Sequence, residues 1–157
     1  MIPLGSGDFV WTLFPYEQAP DTPGPVRHAA CVIAAFTQRD ATKVTSAPVP
    51  SHGLVVGVYT TSQTERYGDA TPVGVLRVSI DAARQGGHKV PFLVDVRKRA
   101  FIPFDRRFFP DIGKNGNGVI GPAGQQLFAR IVAEYRKVNE RHADLVVNLG
   151  PLRPPGT

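Results

Sequence analysis

The sequence predicts a mainly β (α+β) fold, in which a small, strongly bent sheet or barrel of short strands is followed by one C-terminal helix. Two observations predict the sheet. Short apolar runs alternate with Pro-, Gly- and Ser-rich stretches, and the run at residues 27–36 is too short for a typical helix and is bounded by turn residues, as in a buried strand. The helix is predicted by apolar side chains that recur at helical spacing after Pro122.

Length and composition indicate one globular domain over residues 1–157, with 42% hydrophobic and 20% charged residues. Cys31 is the only cysteine and lies in the buried run, so neither a disulfide framework nor a cysteine-based metal site is expected. The sequence shows no membrane span and no signal-peptide pattern, which makes the cytoplasm the expected location.

The charge balance favours an anionic partner. The formal net charge is +5, the sequence pI is about 9.7, and 13 of the 18 basic residues are arginine. Arginine pairs with two phosphate or carboxylate oxygens at once, so this excess points to phosphate or carboxylate recognition more than to solubility alone.

The strands follow one another in a clear order. Alternation or continuous apolar character predicts them at residues 8–14, 27–36, 54–59, 73–80, 90–96 and 100–104. Proline-rich or polar stretches between them predict loops at residues 15–26, 37–52 and 64–72, a turn at 81–89 and a flexible connector at 108–121.

Both ends of the chain are less regular. Residues 1–7 are expected to be a loose lead-in, and the helix that begins at Pro122 is expected to end between Val138 and His142. Its apolar stripe comprises Leu127, Phe128, Ile131, Val132, Tyr135 and Val138. Residues 143–149 fit a strand or a helix equally well, and the final Pro-rich residues are expected to be disordered.

Arg27 is the first candidate for chemistry, because it stands directly between a Pro/Gly-rich loop and the buried strand. A guanidinium held there by a rigid element suits an anionic ligand. The alternative is a surface arginine that merely ends a loop.

Two further groups are candidates for phosphate or RNA contacts. Thr60, Thr61, Ser62 and Gln63 follow the third strand and offer hydroxyls to phosphate oxygens, although a Thr/Ser turn would look the same. Downstream, basic and aromatic residues alternate, as in single-strand binding surfaces or in an ordinary core with a charged rim. They are Arg97, Lys98, Arg99, Arg106 and Arg107 with Phe101, Phe104, Phe108 and Phe109.

Several short motifs follow one another between residues 7 and 140. The first strand opens with Gly-Asp-Phe-Val-Trp at residues 7–11 and ends in Phe-Pro at residues 14–15. Pro-Gly-Pro at residues 23–25 and Arg-His-Ala at residues 27–29 precede the buried strand, and the third strand ends in Thr61-Ser62. With the basic strand at 97–104 and the helix at 122–138, this order resembles the PemK/MazF-type toxins of bacterial toxin–antitoxin systems, whose strand entry is Arg-Pro-Ala. Residues 141–157 are a tail beyond the resemblance.

The resemblance implies an SH3-like barrel that acts as an endoribonuclease on single-stranded RNA without a metal or cofactor. It implies catalytic roles for Arg27 and Thr61, with Thr60 in place of Thr61 if the register shifts by one residue. Arg27 would stabilise charge on the phosphorane, because arginine keeps its proton in proteins. Substrate binding is expected at His28, Thr60, Ser62, Gln63, Arg97 and Arg99.

His28 departs from the resembled pattern, which has proline there, and places an imidazole beside Arg27 that could move protons near neutral pH. The resemblance further implies a homodimer inhibited by an antitoxin with an acidic, disordered segment. Two alternatives remain open: a toxin on the same barrel that binds a protein target such as DNA gyrase, and a non-catalytic barrel that binds RNA or DNA as a regulator.

Overall fold

The computed structural model describes residues 2–155 and has the predicted class, a mainly β chain with a C-terminal helix. The strands are β1 (Asp8–Thr12), β2 (His28–Phe36), β3 (Leu54–Thr61), β4 (Val75–Val78), β5 (Phe92–Pro103), β6 (Val119–Pro122) and β7 (Val147–Leu149). They form one sheet in the order β4-β5-β3-β2-β1-β6, with β7 beside β5. All pairs along the path are antiparallel, and the β5–β7 pair is parallel.

Two helices accompany the sheet, α1 (Ile80–Gln85) and α2 (Gln125–Arg141). Short 3-10 helices lie at Asp40–Lys43, Asn115–Gly118 and Ala143–Leu145. No helix within residues 2–155 is long and apolar enough to cross a membrane.

The core lies on both faces of the sheet, and β2 passes between its two halves. Val32 belongs to a cluster with Val55, Ile102 and a group of phenylalanines, whereas its neighbour Cys31 packs towards Ile131 of α2. Because successive side chains of a strand point to opposite faces, a continuous apolar run is what such a position requires. The strand predicted for residues 27–36 is confirmed as His28–Phe36, but only residues 29–32 are fully buried and residues 33–36 are half-buried.

Close backbone contacts bring the far end of the sheet path back towards β6. A Cβ on Gly121 would lie 2.2 Å from the carbonyl oxygen of Gly86, just after α1. Gly87, with φ of +86°, approaches Ile120 in the same way. Only glycine permits backbones to come this close, so these residues let the turn after α1 pack directly on β6 and complete the curl of the sheet.

The prediction of separate strands at 90–96 and 100–104 is wrong, because β5 is one strand of 12 residues. Its pairing with β3 jumps from Val58–Arg99 to Tyr59–Asp95, so residues 96–98 form a bulge. Charged side chains in that bulge gave the sequence the appearance of a break between two strands.

The turn predicted at 81–89 contains α1, and the strand predicted at 73–80 is limited to Val75–Val78. The Ser79 hydroxyl accepts a hydrogen bond of 3.3 Å from the amide of Ala82, which caps the first turn of α1. The connector predicted at 108–121 is also wrong, since it contributes β6, which pairs with β1.

The C-terminal helix begins at Gln125 and not at Pro122, because Pro122 ends β6 and Gly124 has φ of +85°. Its end at Arg141 is as predicted, and Leu127, Ile131 and Val138 of the predicted stripe are buried. The ambiguous segment at 143–149 is in fact both helical and extended: a 3-10 turn leads into β7.

The two chain ends are packed where the sequence predicted loose segments. The amide of Gly7 donates to Val32 at 2.7 Å, and Leu4 is buried. Leu152 is also buried, and its amide donates to Phe101 at 3.1 Å. The expected disorder is therefore wrong for the segment around Leu152, while residue 1 and residues 156–157 lie outside the described residues.

Candidate functional site

A cavity of about 300 Å³ lies where β2 begins and β3 ends, and we call it the Arg27 pocket. Antiparallel pairing of Ala30 with Tyr59 brings these two strand ends side by side. The pocket is lined by Arg27, His28, Thr60, Thr61, Ser62 and Gln63, together with Trp11, Ala29, His88, Val90 and Phe92. The fold thus gathers the two predicted catalytic residues and four of the predicted binding residues around one cavity.

Arg27 is held at one side of this pocket and remains accessible. Its Nη1 donates to Oδ2 of Asp111 at 2.7 Å, and its guanidinium carbon lies 5.3 Å from the centre of the Trp11 ring. The side chain is 52% exposed. A guanidinium has five N–H donors, so one such ion pair leaves donors for an incoming anion.

Asp111 was not identified from the sequence, because it lies in the glycine-rich stretch predicted to be a connector. Lys114 donates to its other oxygen at 3.1 Å. Hydrogen bonds from Lys114 and then Arg27 lower the pKa of the Asp111 carboxyl below its usual value. A single acidic residue among glycines gives no signal in the sequence for such a contact.

The two threonines at the end of β3 differ in what their hydroxyls do. The Thr60 hydroxyl is buried and donates to the carbonyl oxygen of Ala29. The Thr61 hydroxyl accepts from the amide of Gln63 at 3.2 Å and also interacts with the phenol of Tyr59. The Thr60 hydroxyl proton is therefore bound within the protein, whereas the Thr61 hydroxyl lies beside the Tyr59 phenol at the pocket wall.

His28 occupies an aromatic environment at the edge of the pocket. Its ring centre lies 4.9 Å from that of Tyr59 and 6.3 Å from that of Tyr16. Burial lowers its pKa below 6.5, and the charges of Arg66 and Lys98 act in the same direction, against a hydrogen bond to the Thr60 backbone that raises it. The imidazole is therefore neutral at pH 7 and able to accept a proton.

Two further residues belong to the site although the sequence did not single them out. His88 lines the pocket, stacks on Phe92 at 4.3 Å, and has a buried Nε2 without a hydrogen-bond partner among the described residues. Burial lowers its pKa. Arg66 donates to Oε1 of the pocket residue Gln63 at 2.7 Å, which adds a cation beside the lining. Both come from turns whose sequence carries no periodic signal.

Arg97 and Arg99 do not line the pocket. Arg97 donates to both carboxylate oxygens of Asp95, at 2.9 and 3.0 Å, and to the phenol of Tyr67 at 3.1 Å. Arg99 is 4% exposed, and its guanidinium carbon lies 3.8 Å from the ring centre of Tyr135 on α2. Both guanidinium groups are used inside the fold.

The pocket therefore combines an accessible guanidinium, hydroxyls and two neutral imidazoles beside an exposed tryptophan. Among residues 2–155, no group of three or more His, Cys, Asp and Glu side chains is arranged to hold a metal ion. No model of a known protein family matches the chain, and no curated protein matches it in sequence.

Proposed function

We propose that the protein is a metal-independent endoribonuclease that cleaves single-stranded RNA through attack of a ribose 2′-hydroxyl on the neighbouring phosphate. The observation that carries this proposal is the Arg27 pocket, where Arg27, His28 and Thr61 line one cavity. The resemblance of the sequence to PemK/MazF-type toxins supports the same reaction.

Each of these groups has a role in the reaction. The 2′-oxygen forms a bond to phosphorus and its proton passes to the neutral imidazole of His28, while the bond from phosphorus to the 5′-oxygen breaks and that oxygen takes a proton from water. The products are a 2′,3′-cyclic phosphate and a 5′-hydroxyl. Arg27 stabilises the negative charge that builds up on the phosphorane, and Thr61 and Ser62 position the phosphate.

Single-stranded RNA suits the rest of the pocket. Trp11 is 38% exposed at its wall, and aromatic side chains bind unpaired bases by stacking. The net charge of +5 favours the approach of a polyanion. Paired bases in a duplex would present only their edges to such a wall.

The proposal extends to partners. We propose that the protein acts as a homodimer in the cytoplasm and that an antitoxin inhibits it through an acidic segment. The positive surface would attract such a segment, and burying Arg27 under it would block the phosphate site. Binding of the antitoxin and of RNA should therefore exclude each other.

A long RNA incubated with the purified protein in EDTA tests the activity. Wild type should release fragments with cyclic phosphate ends, and Arg27→Ala should cleave about 100-fold more slowly, the usual effect of losing one group that stabilises transition-state charge. Arg39→Ala, an exposed arginine outside the pocket, is the matched control and should behave as wild type. Absence of cleavage by wild type would overturn the proposal.

One observation favours a second function, RNA binding without cleavage. The ion pair of 2.7 Å between Arg27 and Asp111 sets a carboxylate against the guanidinium that a phosphate would need. On this alternative the same RNA would bind in a salt-dependent way and remain intact.

A further inference from the structure

A second cavity, of about 290 Å³, lies next to the Arg27 pocket and shares no lining residue with it. Its polar and aromatic lining includes Tyr16, Glu17, Gln18, Tyr59 and Lys98. We call it the tyrosine cleft. Its volume suffices for one nucleobase but not for an extended ligand.

The tyrosine cleft and the Arg27 pocket share a wall. His28 and Thr61 line the Arg27 pocket, whereas Tyr59, which contacts both of them, lines the tyrosine cleft. The ring of Tyr16 contacts His28 from the cleft side. The two cavities therefore lie on either side of His28 and Tyr59.

The polar groups of the cleft form an adjacent donor and acceptor. Nζ of Lys98 lies 5.1 Å from the ring centre of Tyr59 and 4.0 Å from Oε1 of Glu17. Glu17 is 53% exposed and Lys98 is 32% exposed. Such a long, exposed ion pair contributes little to stability, so both groups can bind a ligand with little loss of folding free energy.

The loop that carries Tyr16 and Glu17 is fixed in place. The amide of Gly24 donates to Leu13 at 3.0 Å, and a Cβ on Gly24 would lie 2.2 Å from the Phe14 carbonyl oxygen and 3.3 Å from the Tyr16 ring. Farther along the loop, the Pro20 carbonyl accepts from Gly150 at 2.5 Å. A wall held this way loses little conformational entropy when a ligand binds.

We propose that the tyrosine cleft binds a guanine base of the RNA, next to the phosphodiester held at Arg27. The inference rests on the proposed function, since the same RNA occupies both cavities. Guanine presents two adjacent N–H groups, at N1 and N2, to the carboxylate of Glu17, and its O6 to the ammonium of Lys98. Adenine, cytosine and uracil lack that pair of donors. Tyr16 provides the stacking surface.

Binding of 2′-O-methyl RNA tests this separately from cleavage, because the methyl group blocks the attacking hydroxyl. Two short labelled oligonucleotides that differ only in one G or A are titrated with the protein and followed by fluorescence anisotropy. The G oligonucleotide should bind about tenfold more tightly, the size of one good bidentate base contact. Glu17→Gln should remove this preference, and Glu140→Gln, on the exposed side of α2, should keep it.

Tyr16 gives a second, independent measurement. Tyr16→Ala should weaken both oligonucleotides about tenfold through lost stacking, and Tyr16→Phe should restore binding. Equal binding of G and A by wild type, or an unchanged preference in Glu17→Gln, would overturn the base site. A clear G preference in a protein that leaves ordinary RNA intact would support the base site and overturn the nuclease proposal instead.

Discussion

The Arg27 pocket and the interface between β5 and α2 are both built around arginine, but the protein satisfies the two sets of guanidinium groups to different degrees. Arg27 has one carboxylate partner and a side chain that is 52% exposed. Arg97 and Arg99 are bound by a carboxylate, by carbonyl oxygens and by tyrosine rings within the fold. Unused donors, and not charge alone, therefore distinguish an arginine that can bind a ligand from one that stabilises the fold.

The difference follows from where each residue stands in the sheet. Arg27 precedes β2 and so lies at the open end of the strand pair. Arg97 lies in the bulge of β5, and Asp95, its partner, is only 4% exposed. A buried carboxylate needs a cation because an unpaired buried charge is strongly unfavourable.

Replacing Arg27 or Arg97 by methionine, which keeps an apolar side chain, should affect different properties. The first change should lower RNA cleavage and the second should lower stability. Arg27→Met should lower RNA cleavage about 100-fold, since the phosphorane loses its stabilising cation. It should leave the free energy of unfolding within about 0.5 kcal/mol of wild type, as is usual for exposed sites. Arg97→Met should lower that free energy by about 3–5 kcal/mol, because Asp95 stays buried without its partner. Urea unfolding and cleavage assays below the unfolding transition measure both quantities.

Asp95→Asn in the Arg97→Met background is the control for this comparison. It removes the buried charge and should recover part of the lost stability. If Arg97→Met were as stable as wild type and lost cleavage, Arg97 would have to bind RNA, and the contrast between the two regions would be wrong.

The sequence predicted the fold class and most of the strands, because alternation and apolar runs report burial directly. Runs at β1, β2 and β3 are long enough to carry that signal. The bulge in β5 and the short α1 were not predicted, since a charged triplet and a six-residue helix look like turns over a short window. Tertiary contacts, here with β3 and β6, decide such segments.

The candidate site could be predicted only in part for a related reason. Arg27, His28 and residues 60–63 flank neighbouring strands, so their convergence follows from strand pairing. His88 and Asp111 reach the pocket from the turn after α1 and from the segment before β6, and no sequence spacing connects them to β2. Arg97 was expected at the site because the sequence shows its charge but not its partner Asp95.

The pH dependence of cleavage should report the protonation of His28 in the pocket. Its effect on the cleavage rate should be smaller than that of losing Arg27. The pKa of His28 lies below 6.5 through burial, with Arg66 and Lys98 facing the ring along with the phenols of Tyr16 and Tyr59. In the proposed reaction the neutral form accepts the 2′-proton, so kcat/KM should rise with pH up to that pKa and then level off. Below it, the fall should approach tenfold per pH unit.

His28→Asn should be slower and should lose this acidic limb. His142→Asn, at the end of α2, changes a histidine outside the pocket and should keep the wild-type profile. Loss of the limb in His88→Asn with a normal profile in His28→Asn would assign proton transfer to His88 instead.

The smallest expected effect is that of replacing Asp111, the carboxylate that forms an ion pair with Arg27. Asp111→Asn removes its charge from beside Arg27 and Lys114, and an exposed ion pair of this kind is worth about 0.2–1 kcal/mol. RNA should therefore bind up to about five-fold more tightly, with a steeper dependence on salt, because additional positive charge becomes available to phosphate. Anisotropy titrations over a range of salt concentrations measure both changes.

Asp105→Asn is the matched control, since Asp105 forms a similar pair of 2.8 Å with Arg107 outside the pocket and its loss should leave RNA affinity unchanged. Equal affinity of Asp111→Asn and wild type would mean that the carboxylate does not compete with phosphate. If binding becomes tighter, the cleavage rate of Asp111→Asn shows which role Asp111 has towards Arg27. Faster cleavage would mean that Asp111 restrains Arg27, whereas slower cleavage would mean that it orients the guanidinium towards the phosphorane.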